Sequence, residues 1–484
     1  MDVDILLEAS KNTSTPQLPR CIFRVPEVLR RHNVLAYAPD IVSIGPYHPR
    51  NNVQFQAMEN LKYEYLRDLL LHMDRSHDRD MELETSINKL INYIKDHKQV
   101  QYMAEFEKKA RDFYAHPFDP LMKMEFLHMM ILDGCFLVQI FRKSMDEDQR
   151  DTNDPLFNMD CMFQYICHDL LLLENQIPWF VLQDIYELTV KYYQTPQPSL
   201  SRLILTELSS QPQLSHNCKS YLHHLRRNDD NEDDSQPQPS HNCWWYLDHL
   251  RRNDDREDEI ALHILDQEDE SVLHILDLIR TSIVFSFTEC YEDEKPSFNA
   301  NTQSIASATA LSEAGIRFKM SSDECKSIMN IECKNGVIMI PHLEIGELTE
   351  SIFRNLIALE QCCYGRSHKI TSYAVLMDNL LGSSNDIKFL CDMGIIGNWL
   401  SAENGSEFFS KLYCDTVLTY FYYDGLCTRV KKHQTKSRRW GETFARNYCS
   451  DPWKTTSWIA ASILLILTGF QTGYTMAQYY SPRA

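Results

Sequence analysis

Glycine is scarce in this sequence. Only 14 of the 484 residues are glycine, whereas average usage of roughly 7% would supply several dozen. Glycine-rich loops that hold nucleotide phosphates and the many tight turns of all-β folds both depend on this residue. Its scarcity argues against a glycine-rich nucleotide-binding fold and against an all-β architecture.

Catalytic signatures and positive charge are also lacking. The chain has no P-loop, no G-x-G-x-x-G, H-E-x-x-H or G-x-S-x-G pattern and no kinase signature. We therefore expect no enzymatic activity and no cofactor. The chain has 48 basic and 68 acidic residues, which give a formal net charge of −20. Because nucleic-acid phosphates repel an acidic protein, no nucleic-acid partner is expected.

Cysteine is too sparse for a disulfide scaffold. Fifteen cysteines are about 3% of the chain, below the composition of disulfide-rich domains. The N-terminus, Met1-Asp2-Val3-Asp4, shows no basic region or long apolar run, so no signal peptide is expected. Free thiols in a reducing compartment are therefore predicted, with adjacent Cys362 and Cys363 as buried small hydrophobes.

The apolar residues that are present, 43% of the chain, suffice for a substantial core. Their helical spacing over 55–71 predicts an amphipathic helix, and their nearly continuous run over 121–142 predicts a core helix. Further helices are predicted over 161–189 and 404–424. Residues 317–340 alternate like strands around a Lys334-Asn335-Gly336 turn. The predicted fold class is mainly α: a large helical body with a small β-hairpin element and a single C-terminal transmembrane helix.

Shifts in composition divide the chain into seven segments. In order, they are a flexible N-terminus (1–20), an N-terminal helical half (21–195), a variable and duplicated insertion expected to be disordered (196–270), a C-terminal helical half (271–425), a basic juxtamembrane segment (426–456), a transmembrane helix (457–476) and a short tail (477–484).

The insertion contains a tandem duplication. QPQLSHNCKSYLHHLRRNDDNEDD begins at Gln211, and QPQPSHNCWWYLDHLRRNDDREDE begins at Gln236. Two polar copies are too few for a solenoid, which needs about three units. The copies carry four weak candidates for metal ligands: His216, Cys218, His241 and Cys243. Because H-x-C is not a usual zinc spacing and duplication copies any residue, we expect no metal site.

The clearest signal lies near the C-terminus, where residues 457–476 form a run of 20 positions without charge. As a helix, this run would span about 30 Å, the thickness of a bilayer's hydrocarbon core. Aromatic residues flank both ends, as in interfacial belts, and they disfavour the alternative of a buried core helix. The residues expected to contact lipid are Trp458, Ile459, Ile463, Leu464, Leu465, Ile466, Leu467 and Phe470.

A basic stretch precedes this helix, and only Arg483 follows it. The positive-inside rule then predicts a single-pass protein whose N-terminal body is cytosolic, with the identity of the membrane left open. The basic side chains also favour anionic headgroups, so the lipid bilayer is the first expected partner. These side chains include Lys431, Lys432, Lys436, Arg438 and Arg439. Within the helix, Gly469 and Gly473 form a G-x-x-x-G pattern that permits helix–helix contact and self-association.

A polar cluster follows an apolar run over residues 169–178, with sequence DLLLLENQIP. One interpretation makes Glu174 a general base beside His168. The favoured one makes the cluster a hydrogen-bonded helix terminus before Pro178, because buried polar groups must be paired. The same interpretation applies to residues 360–363.

Six motifs occur in a fixed order: Phe23-Arg24-Val25-Pro26-Glu27, Ser43-Ile44-Gly45-Pro46-Tyr47-His48, Met58-Glu59-Asn60-Leu61-Lys62, 170–178, Ser307-Ala308-Thr309 with Glu313-Ala314-Gly315, and 353–362. Over residues 21–474, apart from the insertion, the chain resembles the plant family called domain of unknown function 247. The resemblance implies a plant membrane protein with no established activity and no agreed catalytic residues. Some grass members are linked to self-incompatibility recognition in pollen, but no motif here marks that role.

The predicted function is that of a membrane-tethered interaction, recognition or signalling component that binds unidentified proteins. Two alternatives stay open. One is a membrane-associated enzyme of unfamiliar chemistry that uses Glu174 and His168. The other is a structural scaffold that self-associates through Gly469 and Gly473.

Overall fold

Helices dominate the part of the chain that the computed structural model describes. That part comprises residues 20–50, 52–73, 83–97, 100–118, 121–146, 150, 154–193, 197–209, 272–290, 305–321, 327–346, 348–363, 365–398, 408–444 and 452–480. Sixteen helices and five short strands lie within it. The prediction of a mainly helical fold is confirmed.

The elements have the following bounds. The helices are α1 Glu27–Arg30, α2 Val53–Met73, α3 Leu83–His97, α4 Val100–Asp112, α5 Lys123–Met145, α6 Asp160–Asp169, α7 Trp179–Val190, α8 Leu200–Ser209, α9 Ile275–Cys290, α10 Ala308–Glu313, α11 Thr349–Cys362, α12 Lys369–Leu380, α13 Ser384–Asp392, α14 Phe408–Leu412, α15 Asp424–Phe444 and α16 Pro452–Tyr480. The strands are β1 Arg317–Met320, β2 Glu332–Lys334, β3 Val337–Ile340, β4 Leu343–Ile345 and β5 Ile396–Asn398.

The N-terminal half is organised around α5. Helices α2, α3, α4, α7 and α8 all pack against it, and 16 of its 23 residues are buried. Gly134 allows α7 to approach closely, because a Cβ at this position would lie 2.4 Å from Cδ1 of Ile185. The predicted core helix is therefore confirmed, and its all-round apolar surface is explained by neighbours on every side.

The C-terminal half is organised around α11. This helix packs against α9, α12, α14 and a 3₁₀ turn at Leu35–Tyr37 that comes from the start of the chain. Helix α9 also contacts α8, so it joins the two halves. Their buried apolar side chains form one continuous hydrophobic core. The two halves predicted from composition are thus a single folded body.

Two small sheets lie in the C-terminal half. In the first, β3 pairs antiparallel with β2 and parallel with β1. Asn335 and Gly336 connect β2 to β3 with φ angles of 51° and 75°, the left-handed conformation of a two-residue hairpin turn. The predicted hairpin is confirmed, and β1 extends it. In the second sheet, β4 and β5 pair in parallel.

Three predicted boundaries need correction. The helix predicted over 161–189 is two helices, α6 and α7, separated by a buried turn. The helix predicted over 404–424 is the short α14 followed by an irregular segment before α15. Helix α8 lies inside the range assigned to the insertion, and its apolar face belongs to the core. The duplication itself lies outside the described residues.

One helix among the described residues is long and apolar enough to cross a membrane, and it is α5. Since 78% of its most apolar stretch is buried inside the protein, its composition is that of a core helix. Helix α16 contains the predicted span 457–476, and its side chains are described continuously over 460–476. No observation on the described residues places α16 in a bilayer.

Candidate functional site

The turn at 170–178 lies between α6 and α7 and is closed by its own polar side chains. Glu174, Asn175 and Gln176 are almost fully buried, at 2%, 1% and 2% exposure. The Gln176 amide donates to two carbonyl groups within the turn, at 2.6 and 2.8 Å. The interpretation of this cluster as a hydrogen-bonded helix terminus is confirmed.

Glu174 holds the N-terminal segment against this turn. Its Oε1 accepts a hydrogen bond from the backbone N–H of Val25 at 2.6 Å and also pairs with the guanidinium of Arg30. Nε2 of His48 lies 3.9 Å from the other carboxylate oxygen. The hydrogen bonds to Oε1, one of them from a guanidinium, stabilise the negative charge of Glu174.

Asp169 and Asn175 supply hydrogen-bond acceptors for the backbone of residues 40–44, a role that helix or strand partners play elsewhere. The Asp169 carboxylate accepts from the backbone N–H groups of Asp40, Ile41 and Val42 at 2.7 to 2.9 Å. The Asn175 oxygen accepts from the N–H of Ile44 at 2.7 Å. Residues 40–44 have no helix or strand partner of their own, so these side chains satisfy the amides that burial would otherwise leave unpaired.

A buried ion cluster completes the site on the opposite side of this segment. Asp133, in the middle of α5, pairs with Arg50 and with Lys62, whose Nζ lies 2.9 Å away. Lys62 also contacts Glu59 at 2.6 Å. Burial alone would raise the pKa of Asp133, but the charges and hydrogen bonds of Arg50 and Lys62 outweigh it and hold that pKa below its usual range.

Asp40, His168 and Asp169 form the one group of possible metal ligands in the described residues. Nδ1 of His168 lies 3.8 Å from Asp40 and 3.6 Å from Asp169, and the three ligand atoms lie within 4.8 Å of one another. Tetrahedral coordination with bonds of about 2.1 Å would bring ligand atoms to about 3.4 Å. Asp169 already accepts three N–H groups, so its carboxylate is committed to the backbone, and the three ligand atoms lie farther apart than tetrahedral coordination requires.

The contacts of Glu174 and His168 give no support to the hypothesis that they form a catalytic pair. Glu174 binds Val25 and Arg30, whereas His168 lies beside Asp40 and Asp169. Both side chains are buried, at 2% and 5% exposure. General acid–base catalysis requires the base within hydrogen-bond reach of a proton on substrate, and this arrangement instead uses Glu174 to hold the chain together.

The second polar cluster, at residues 360–363, is also structural. Glu360 at the end of α11 accepts from the N–H groups of Ile370 and Thr371, both at 2.9 Å, and so caps the start of α12. Gln361 pairs with both backbone groups of Val417, at 2.9 and 2.8 Å. The ten cysteines whose side chains are described, including Cys362 and Cys363, are free thiols.

The predicted lipid-contacting residues lie on α16 and are widely exposed where they are described. Their exposed fractions are 52% for Ile463, 64% for Leu464, 74% for Leu465, 59% for Ile466, 57% for Leu467 and 75% for Phe470. The side chains of Trp458 and Ile459 lie outside the described residues. An added Cβ at Gly469 or Gly473 would meet no atom within 4 Å, so both glycines lie on open helix surface.

The predicted basic residues lie on α15. Lys431 and Lys432 are exposed, while the side chains of Lys436, Arg438 and Arg439 lie outside the described residues. The four candidate metal ligands of the duplication also lie outside them.

Sequence reasoning did not find the ion cluster at Asp133. One signal was available, because an ionisable residue at the centre of an apolar core helix requires a buried partner. Nothing local identified Arg50 and Lys62 as those partners, since they lie 83 and 71 positions away along the chain.

The chain is similar to known plant proteins over nearly its whole length. The model of a family described as plant protein of unknown function, DUF247, matches residues 22–467. UPF0481 protein At3g47200 of Arabidopsis thaliana is 27% identical, over 99% of this chain and 90% of its own length. A second UPF0481 protein of that plant, At3g02645, is 22% identical, over 93% of this chain and 89% of its own length. No solved structure matches the chain. The chain belongs to the plant family of unknown function DUF247.

Proposed function

We propose that α16 anchors this protein in a lipid bilayer and that the helical body, on the cytosolic side, is an interaction or signalling component that binds other proteins. The observation that carries the proposal is the exposure of α16. Six apolar side chains between Ile463 and Phe470 are at least half exposed. In water such a surface is unfavourable, by about 25 cal/mol for each Å² of apolar area.

The dimensions of α16 support the same proposal. Its 29 residues correspond to about 43 Å of helix, longer than the roughly 30 Å hydrocarbon core and close to the full bilayer thickness. Hydroxyl groups along it are satisfied internally, since Thr468 and Thr472 each donate to the carbonyl four residues earlier at 2.7 Å. Internal hydrogen bonds of this kind lower the cost of placing a hydroxyl group in a bilayer.

Carbonate extraction of the full chain from plant membranes tests the anchor. We expect the chain to stay in the membrane pellet and the variant Leu465→Arg/Leu467→Arg to be released, because each arginine at a helix centre costs about 2.5 to 3.5 kcal/mol. Thr456→Arg, outside the apolar run, is the matched control and should stay bound. Release of the unaltered chain by carbonate would refute the anchor.

An apolar patch on the body supports protein binding. Val34 and Leu35 are 54% and 81% exposed, and Val417 is 67% exposed. The two segments that carry them are joined by a 2.7 Å contact between Nε2 of His32 and the Asp415 carboxylate. Exposed apolar residues that share a region of surface are typical of interaction sites.

Affinity purification from solubilised plant membranes tests this patch. We expect specific partners with the full chain and their loss with Leu35→Asp/Val417→Asp. Val53→Asp is the matched control, because Val53 is 91% exposed at the start of α2. Identical recoveries from all three proteins would rule out this surface as the binding site.

A further inference from the structure

The outer face of the three-stranded sheet is basic. Side chains alternate along a strand, and β1 buries Phe318 while it exposes Arg317 and Lys319. Lys334 on β2 is 70% exposed at its side chain and lies 2.5 Å from Glu332. Across the sheet, β3 places Val337 next to Arg317 and Lys334 in register. Three cations and one anion therefore share this face.

Helix α15 meets this sheet at the hairpin turn. It packs against β2, and the ring of His433 lies so close to Gly336 that a Cβ there would be 2.3 Å from Cε1. Val430 is the last residue of α15 that is buried among those with described side chains, and Lys431 and Lys432 are exposed. The hairpin turn therefore packs against the stretch of α15 in which Lys431 and Lys432 are exposed.

These positive charges stand out in a chain whose net charge is −20. The exposed Arg317, Lys319 and Lys334 continue the basic stretch of α15 onto a second element. Acidic residues are also present nearby: Glu332 on β2 and Glu313, which is exposed just before β1. Helix α15 extends 11 residues past His433, about 17 Å at 1.5 Å per residue.

We infer that the basic face, defined as Arg317, Lys319 and Lys334 with Lys431 and Lys432, lies on the anionic phospholipid headgroups of the bilayer that holds α16. This inference rests on the proposed anchor. Anionic headgroups attract cations that come within about one Debye length, roughly 8 Å at physiological ionic strength.

Lysine footprinting of the full chain in vesicles tests the inference. The chain is reconstituted into vesicles of neutral phosphatidylcholine alone or mixed with anionic phosphatidylserine, then treated with a membrane-impermeant amine reagent and analysed by mass spectrometry. We expect modification of Lys319 and Lys334 to fall about fivefold in the anionic vesicles, as for a charge held at the surface. Lys108 on α4, which does not pack on the sheet, should react equally in both.

A charge reversal distinguishes a bound face from a general effect of lipid charge. Arg317→Glu should restore the reactivity of Lys319 and Lys334 in anionic vesicles, whereas Lys123→Glu, the same charge change on α5, should not. If Lys319 and Lys334 react equally in both vesicle types while the chain still resists carbonate, the inference that the basic face binds headgroups is overturned and the proposed anchor stands. Loss of the chain from the vesicles on carbonate treatment would overturn both.

Discussion

At the scale of the residue, buried side chains that bind backbone decide the shape of the irregular segments. The Asp169 carboxylate satisfies three N–H groups, and Glu360 satisfies two at the start of α12. Such groups are expensive to leave unpaired inside a protein, at about 1 to 3 kcal/mol each. These side chains therefore determine stability much more than their small number suggests.

Replacement of Asp169 tests this role. Asp169→Ala leaves the N–H groups of Asp40, Ile41 and Val42 without acceptors, and we expect it to lower the free energy of unfolding by about 3 to 6 kcal/mol. Asp169→Asn retains one acceptor oxygen and should lose roughly half as much. Urea denaturation of the full chain in mild detergent measures both. Similar stabilities for the two variants would contradict the assigned hydrogen bonds.

His274 gives the protein a predicted pH dependence. Its side chain is 0% exposed, and burial lowers the pKa of His274 to about 4. In the unfolded chain a histidine titrates near 6.5, so the unfolded state takes up the proton first as the pH falls. The contribution of His274 to the free energy of unfolding is therefore fully present above pH 6.5. It is lost as the pH falls from about 6.5 to 4, which lowers the free energy of unfolding by about 3 kcal/mol.

Unfolding measured at a series of pH values tests this dependence. His274→Asn, which keeps an acceptor for the N–H of Asp277, should flatten the slope between pH 6.5 and 4. His116→Asn is the control: burial also lowers the pKa of His116, but this side chain is less enclosed, so most of the slope should remain. An unchanged slope in His274→Asn would assign the acid sensitivity to other groups.

At the scale of the element, tertiary partners override local helical preference. The apolar pattern over 161–189 continues through residues 170–178, yet the helix ends at Asp169 because the side chains of Asn175 and Gln176 hydrogen-bond backbone carbonyls there. The irregular segment before α15 is held in the same way, by Gln361 and by Ser372, which contacts the Tyr420 carbonyl at 3.1 Å. Both side chains lie on other parts of the chain, so no local pattern reveals them.

The contact between the hairpin and α15 is testable at one glycine. Gly336→Ala places a Cβ against the His433 ring at a φ of 75°, and we expect a loss of about 2 to 3 kcal/mol in stability. The double variant Gly336→Ala/His433→Ala should recover the steric part and leave about 1 kcal/mol from the backbone. Thermal unfolding of these two variants and of His433→Ala gives the interaction free energy between positions 336 and 433. Additive effects would show that the helix and the turn are not in contact.

At the scale of the whole molecule, one core and one exposed helix define the protein. The core runs through both halves, whereas α16 presents its apolar side chains outward. The sequons Asn12-Thr13-Ser14 and Asn404-Gly405-Ser406, which lie outside the described residues, report the topology because glycosylation occurs in the lumen.

We expect the full chain in plant cells to be unglycosylated at both sequons and open to protease added to sealed microsomes. This outcome follows from the basic stretch on α15, which the positive-inside rule keeps on the cytosolic side. Glycosidase-sensitive mass together with protease protection would reverse the orientation and make the cysteines disulfide candidates.

The sequence by itself determined the mainly helical class, the core helix α5, the hairpin turn, the family and the apolar C-terminal helix. These features follow from local periodicity, turn chemistry and motif order, all of which are read within short windows. Only the tertiary structure decided the rest: the division of 161–189, the pairing of Glu174 with Val25 at a separation of 149 positions, and the joining of the two halves by α9. Buried charges and polar groups pair with residues that are distant in the sequence and become neighbours only in the packed fold. A local sequence pattern therefore does not identify these partners.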